Sequence, residues 1–382
     1  MTHLVVVGSS IAGATAAGAL RSGGFAGDIS LIGEEAPQPY SRVPLSKGVL
    51  AGTETLESAT LAALPDDVNL VLGSAATSLD VEGRSVQLAD GVVMPYDGVI
   101  IATGARARRL ARKGQAGEHV IRTLDDAAAI AARIPMARSA IVVGAGFLGM
   151  EVGSTLRSRG LDVTLVDREP PLRRLLGQWL SDYLIKTADE AGIRFHITPG
   201  DVELLGNPIS GVAFRDGRKL EADVVVCAAG DLPNVEWLAD SGLHIAGGLV
   251  VDARCLAAPR VAGAGDVTSR EVKPGVFRRT PHWSNAVTQG RAAAAVLLDP
   301  AVPPYQPDHY FWTEQFGIDL KIAGELPLAG QPEIIDGDPA SGSAVLRWHH
   351  DGQPVAAASI NFRLPVVKLK RLAAPATGTA AR

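Results

Sequence analysis

Cysteine is nearly absent: the 382-residue chain has two, Cys227 and Cys255. That excludes a disulfide scaffold, a cysteine zinc site and a CxxC redox centre. A large excess of charge of one sign is also missing. The chain has 36 Lys and Arg against 41 Asp and Glu, a net charge of −5, whereas a general nucleic-acid binder carries a strongly basic domain. No apolar run reaches the ~18 residues needed to span a bilayer. The uncharged stretch Leu4–Leu20 lacks a basic flank and is interrupted by Gly8 and Gly13 after a β-branched run. It reads as a strand, a turn and a helix, not a signal peptide. These absences lead us to expect a soluble, cytoplasmic, mildly acidic protein with no metal, no nucleic-acid partner and no membrane partner.

Glycine, by contrast, is abundant, at 42 of 382 residues. With 47% hydrophobic content, this indicates packed cores joined by many tight strand–helix turns. The length suggests about two or three domains. One segment recurs: His3-Leu-Val-Val-Val-Gly-Ser-Ser-Ile-Ala-Gly13 returns as Ala140-Ile-Val-Val-Gly-Ala-Gly-Phe-Leu-Gly149. Each copy opens with an apolar run suited to a strand buried on both faces of a parallel sheet. Each continues through a glycine turn into a helix ending near Gly23-Gly24 or Gly160, and then a second strand, Asp28–Gly33 or Asp162–Asp167. Further strands are expected at Gly98–Thr103, Asp223–Ala229 and Arg260–Asp266, the first two followed by Gly104 and Gly230. Beyond Trp312 the pattern becomes antiparallel, with strands at Asp319–Gly324, Ser343–His350 and Gln353–Phe362, the last two joined by the hairpin turn Asp351-Gly352. The small, polar tail after Ala373 reads as frayed.

The second glycine loop is the stronger chemical signal. Gly144-x-Gly146-Phe147-Leu148-Gly149 lies between a strand and a helix, and Asp167 ends the next strand. This is the dinucleotide fingerprint in its proper context. The glycines admit the pyrophosphate, the helix N-terminus stabilises its charge, and the acid accepts from a ribose hydroxyl. Asp167 disfavours a 2′-phosphate and so points to NADH; Arg168 beside it keeps NADPH open. The first loop, Gly8-x-Ser10-x-x-Gly13, has serine where the second glycine is usual, and alone is equally consistent with an ordinary turn. Glu34 supplies its acid. Two nucleotide loops suggest one dinucleotide held and one exchanging, for which flavin and nicotinamide are the economical pair.

Further motifs lie between and beyond these loops: Pro39-Tyr-Ser-Arg-Val-Pro-Leu-Ser-Lys47, Ile101-Ala-Thr-Gly104, Arg122-Thr-Leu, Gly265-Asp266, Trp283-x-Asn285-Ala286 and Tyr310-Phe-Trp312-x-x-Gln315-Phe-Gly317. In this order the chain resembles the FAD-dependent NAD(P)H:ferredoxin reductases that serve bacterial haem-thiolate monooxygenases and Rieske dioxygenases. The resemblance implies an α/β fold of glutathione-reductase type: two Rossmann-like domains, for FAD (1–115 and 245–312) and NAD (116–244), and a small C-terminal α+β domain (313–382). It implies that Ala12 and Glu34 meet the adenosine and diphosphate half of FAD. Arg42, Lys47, Ala76, Thr103, Gly104, Arg106 and Arg122 would line the rest of its path. Asp266, after Gly265, would hold the ribityl chain, with Trp283 near the pyrimidine end, and Gly230 is a further cofactor-binding position. Lys47 and Glu151 are implied to pair near flavin N5, and Trp312 to lie against the reacting rings. Val43, where the family often has proline, and Ser10 are departures.

By themselves, Lys47 and Glu151 are equally consistent with a surface ion pair, and Trp312 with core packing. His282 either donates to the flavin or caps a helix. The stretch Ala36–Leu50, where disulfide reductases of this fold place a redox pair, has no cysteine, so electrons must leave the flavin directly. The implied acceptor is an acidic iron–sulfur ferredoxin, steered by Arg106, Arg108, Arg109, Arg112 and Lys113 unless that run is a solvated loop; Lys368, Lys370 and Arg371 form a second candidate patch. The protein would be a monomer or homodimer. Two other readings stay open: a flavoenzyme acting directly on a quinone, dioxygen or a biosynthetic intermediate, and a non-catalytic NADH-sensing flavoprotein.

Overall fold

The computed structural model describes residues 1–374; apart from Ala374, the tail expected to fray lies outside the described residues. The chain folds as two compact units. The first comprises Met1–Ser41, Glu57–Arg106 and Leu232–His309, and the second comprises Arg42–Leu56, Ala107–Asp231 and the chain from Tyr310 onward.

The first unit is built on β1 (His3–Val7), α1 (Ile11–Ser22) and β2 (Asp28–Gly33), with the ranges expected from the repeat. Its six-stranded sheet runs in the order Leu256–Ala258, Val261–Gly263, Gly98–Ile101, β1, β2, Val68–Leu72. Leu4, Val5 and Val6 are all 0% exposed, because the two faces of β1 supply two different cores. Burying each such side chain contributes about 1.5–3 kcal/mol, which is why the run is apolar throughout rather than alternating. Helix α1 packs against the helix Trp283–Leu298, where a Cβ on Gly290 would fall 2.5 Å from the Ala12 carbonyl. The missing side chain at Gly290 thus sets how closely the two helices approach.

The second unit repeats the pattern with β3 (Ser139–Val143), α2 (Phe147–Ser158) and β4 (Asp162–Asp167). The parallel order is Arg194–Ile197, β4, β3, Val224–Cys227, His119–Val120. Ser139 pairs with Asp162 as His3 pairs with Asp28. The strands Gly98–Ile101 and Val224–Cys227 stop short of the expected ends. After one more ladder bond each, from Ala102 to Val7 and from Ala228 to Val143, the backbone turns off the sheet at Gly104 and Gly230, both with positive φ.

The second unit also carries an antiparallel sheet: β5 (Tyr310–Gln315), β6 (Ile318–Gly324), Gln353–Ile360, Ser343–His350 and Glu333–Asp338, in that spatial order. Asp351 and Gly352 both have positive φ, as a type I′ hairpin requires. The helix Val366–Ala373 closes this sheet, burying Leu369 and Ala373 with Tyr310. Its α/β layers and small antiparallel addition match the expected fold class.

Candidate active site

In the first unit the nucleotide loop is held open by two glycines that nothing larger can replace. Gly8 has φ +113°, and a Cβ there would lie 2.1 Å from the Ala102 carbonyl oxygen. A Cβ on Gly13 would lie 1.8 Å from the Gly8 carbonyl oxygen. Ser10 differs. It is the N-cap of α1 at φ −84°, an ordinary extended conformation, and its hydroxyl makes no cap bond. A side chain is therefore tolerated, and the first-turn amides of α1 are left to face an anion. Ala12 is buried, with Gly265 close by; a Cβ on Gly265 would meet the Ala12 methyl at 2.8 Å. Glu34 is exposed immediately after β2. Ala76 is half-buried at the start of the strand Ala76–Asp80. Thr103 and Asn234 bond reciprocally, hydroxyl to carbonyl and amide to carbonyl, each at 2.9 Å, which fixes the turn into Gly104. Asp266 is half-buried, and its backbone carbonyl accepts from Arg279. Trp283 opens its helix 39% exposed. Burial holds the His282 imidazole below its ordinary pKa; it occupies the N-cap position but its side chain makes no cap bond.

In the second unit Gly144, φ +107°, would bring a Cβ to 2.3 Å from the Ala228 carbonyl, and Gly149 one to 1.9 Å from the Gly144 carbonyl. At Gly146 a Cβ would meet nothing within 4 Å, so the space over the loop is free for a pyrophosphate. Phe147 packs edge-on against Phe311, and Leu148 is 37% exposed. Asp167 does more than end its strand. One carboxylate oxygen accepts from the Ala145 amide and the other from the Arg168 amide, each at 2.6 Å. The acid is thereby aimed across the mouth of the loop, while the exposed Arg168 side chain lies 3.6 Å from Asp201. Gly230 is exposed, and its carbonyl accepts from the Arg108 amide. Arg42 donates to the Arg122 carbonyl at 2.6 Å.

Lys47 and Glu151 meet in this unit at 2.6 Å, with side chains only 16% and 8% exposed. The surface-pair alternative is therefore wrong. A buried pair needs further hydrogen bonds to offset desolvation, and Glu151 has them: Ser46 donates to Oε2 and Thr313 to Oε1, each at 2.7 Å. One turn along α2, Thr155 donates to the Ser46 carbonyl at 2.7 Å. Sequence reasoning passed over Ser46 and Thr313. The signal was their adjacency to Lys47 and Trp312 within motifs already noted. Trp312 is half-buried on β5 and stacks on Tyr310 with ring centroids 5.9 Å apart.

The basic run is not a bare patch. Arg106 forks onto Glu236 at 2.8 and 2.5 Å, and holds that carboxyl below its usual range. Arg112 meets Glu203 at 2.7 Å, and Arg109 lies 3.7 Å from Glu118. Both cysteines are buried and unpaired. Burial pushes the Cys227 thiol far up and that of Cys255 up to about 12.

Residues 2–290 match the pyridine nucleotide-disulphide oxidoreductase family, and residues 310–381 match a reductase C-terminal domain. The chain belongs to the pyridine nucleotide-disulphide oxidoreductase family. This oxidoreductase is 35% identical over 352 residues to rhodocoxin reductase from Rhodococcus erythropolis, covering 89% of this chain and 82% of the relative. It is 34% identical over 370 residues to the ferredoxin–NAD(+) reductase component of the biphenyl dioxygenase system of Paraburkholderia xenovorans, covering 94% and 90%. Among solved structures, a ferredoxin reductase from Rhodopseudomonas palustris superposes with a TM-score of 0.87 at 32% identity, covering 95% of this chain and 92% of the other. The oxidoreductase has a glycine turn between strand and helix in each unit, and neither of its cysteines is exposed.

Proposed function

We propose that the chain is an FAD-dependent NAD(P)H:ferredoxin oxidoreductase, passing electrons from NADH through bound FAD to a ferredoxin that feeds a haem-thiolate monooxygenase or a Rieske oxygenase. The observation that carries this is a glycine-cradled nucleotide loop in each unit of a chain whose two thiols are both buried. The chemistry that FAD supplies when bound is the conversion of a two-electron donor into a one-electron source. The protein has to hold and orient. In the first unit Gly8, Gly13, Glu34, Thr103 and Asp266 would hold FAD, with Trp283 beside its ring. In the second, Gly144, Gly146, Gly149 and Asp167 would hold the nicotinamide cofactor. Lys47 and Glu151 would serve the reacting end of the flavin, and Trp312 would shield it. We assign residues 1–115 and 245–312 to the FAD domain, 116–244 to the NAD domain and the chain from 313 to a third. We place the protein in the cytoplasm; no helix among the described residues is long and apolar enough to cross a membrane.

The test is stopped-flow and turnover on the purified flavoprotein. NADH should bleach the flavin, and cytochrome c reduction should require added ferredoxin. Turnover with a small organic acceptor but with no ferredoxin would overturn the reading, as would a long-lived charge-transfer complex with negligible turnover.

Cofactor choice gives a second expectation. Asp167→Ala removes both a ribose acceptor and the carboxylate that holds the Ala145 amide. Hydrogen bonds to charged groups contribute about 1.5–3 kcal/mol. We expect kcat/KM for NADH to fall about tenfold or more, while that for NADPH falls less, narrowing the ratio. An unchanged ratio would show that the acid serves the loop alone.

A further inference from the structure

We propose that Thr313 is a positioning residue for Glu151, and that Gln315 fixes the direction of its hydroxyl. The proposal rests on the reading that Lys47 and Glu151 serve the flavin. Thr313 is 0% exposed, Gln315 3% and Glu151 7%, so the network lies away from bulk water.

The direction of each bond follows from chemistry. An ionised carboxylate only accepts. Lys47 Nζ and Ser46 Oγ both act on Glu151 Oε2, at 2.6 and 2.7 Å; the Thr313 hydroxyl acts on Oε1 at 2.7 Å. Gln315 Nε2, which can only donate, lies 3.2 Å from the same Thr313 oxygen. That oxygen therefore accepts from Gln315 and sends its single proton to Glu151. Gln315 Oε1 has no hydrogen-bond partner among the described residues. Turning the amide over would satisfy that oxygen by drawing the Thr313 proton away from Glu151. The orphaned carbonyl is the cost of keeping the Thr313 hydroxyl directed at the carboxylate.

The strand supplies the geometry. Residues two apart on a strand share a face, so β5 presents Thr313 and Gln315 together towards α2. The strand's end is pinned to the same helix, since the Phe316 amide donates to Ser154 Oγ at 2.7 Å. Glu151 is thus gripped on one oxygen by β5 and on the other by Ser46 and Lys47. Without the β5 grip the carboxylate can rotate about its own bond, and Lys47 loses its fixed counter-ion.

The experiment compares holoenzymes carrying Thr313→Val, Thr313→Ser and Glu151→Gln. The readouts are the limiting rate of flavin reduction by NADH, the Kd of NADH, the absorption spectrum of the oxidised bound flavin and the unfolding temperature. Glu151→Gln should slow reduction on the order of 100-fold. Thr313→Val should slow it about tenfold, with NADH Kd held within about twofold. Both should shift the flavin spectrum in the same direction, and Thr313→Ser should restore wild-type rate and spectrum. If Thr313→Val does not fold, Thr313→Cys, a weak donor of similar size, takes its place. Slow Glu151→Gln with wild-type rate and spectrum in Thr313→Val would overturn the role of Thr313 alone. Wild-type behaviour in Glu151→Gln would overturn the underlying reading of the pair, and this proposal with it. A Thr313→Val defect that Thr313→Ser does not repair would reduce Thr313 to a packing residue.

Discussion

Gly13→Val is expected to yield a colourless protein. The position lies in the first turn of α1, and its Cβ would have to occupy a point 1.8 Å from the Gly8 carbonyl oxygen and 3.3 Å from a methyl of Val6. The obstruction is backbone, so no rotamer change relieves it. Overpacking a core that can shift costs about 1–3 kcal/mol, and here the relief would have to come from lifting α1 off the turn that follows β1. Gly8 cannot follow, because at φ +113° it already lies beneath the Ala102 carbonyl. The first-turn amides would then no longer converge on a pyrophosphate. Since a ligand that binds only the folded state stabilises it by mass action, losing FAD should also lower the unfolding temperature. The flavin-to-protein absorbance ratio measures the first effect and a thermal melt the second. A fully yellow variant would show that the turn opens without disturbing the cofactor.

Gly149→Val makes the corresponding change in the second loop, where a Cβ would lie 1.9 Å from the Gly144 carbonyl oxygen. Here the expected result is different. The flavin should stay bound, because the first unit is untouched, while reduction by NADH should fall on the order of 100-fold or more, the scale on which misplacement of a reacting group is felt. Dithionite, which needs no nucleotide site, should still bleach the flavin. Loss of colour, or reduction by NADH at the wild-type rate, would each contradict the assignment of the second loop to the exchanging nucleotide. Paired with Gly13→Val, the substitution separates the two sites by colour and by rate.

Local features of the chain were legible without coordinates. The repeat located both strand–turn–helix units and their ranges, because continuous apolar runs and glycine turns depend on neighbours within a few residues. Asp351-Gly352 announced its hairpin for the same reason. What escaped the sequence depends on partners far away along the chain. Ser46 reaches Glu151 across 105 positions and Thr313 reaches it across 162, and adjacency to Lys47 and Trp312 is the one sign of them that the sequence carries. The run of cations between Arg106 and Lys113 left a docking patch and a solvated loop equally open, because the acids that meet Arg106 and Arg112, Glu236 and Glu203, lie in other segments. Glu333–Asp338 went unrecognised as a strand because it is an acidic, largely exposed edge with no alternating apolar face, held to its neighbour by ladder bonds and the Arg347–Glu333 pair. Edge strands are commonly charged in this way. Tyr310–Gln315 was seen as a motif rather than a strand, and its alternation proved to be what delivers Thr313 and Gln315 to one side.

The two sealed cysteines have a practical consequence. A thiol must ionise and be reached before it reacts, and Cys227 and Cys255 meet neither condition, at 1% and 0% exposure. The native protein is therefore expected to take up no maleimide or other thiol-directed label, which mass spectrometry of the treated protein would check. A single cysteine introduced on the surface would be the one reactive handle, ready to carry a spin label, a fluorophore or an electrode tether without any prior removal of native residues.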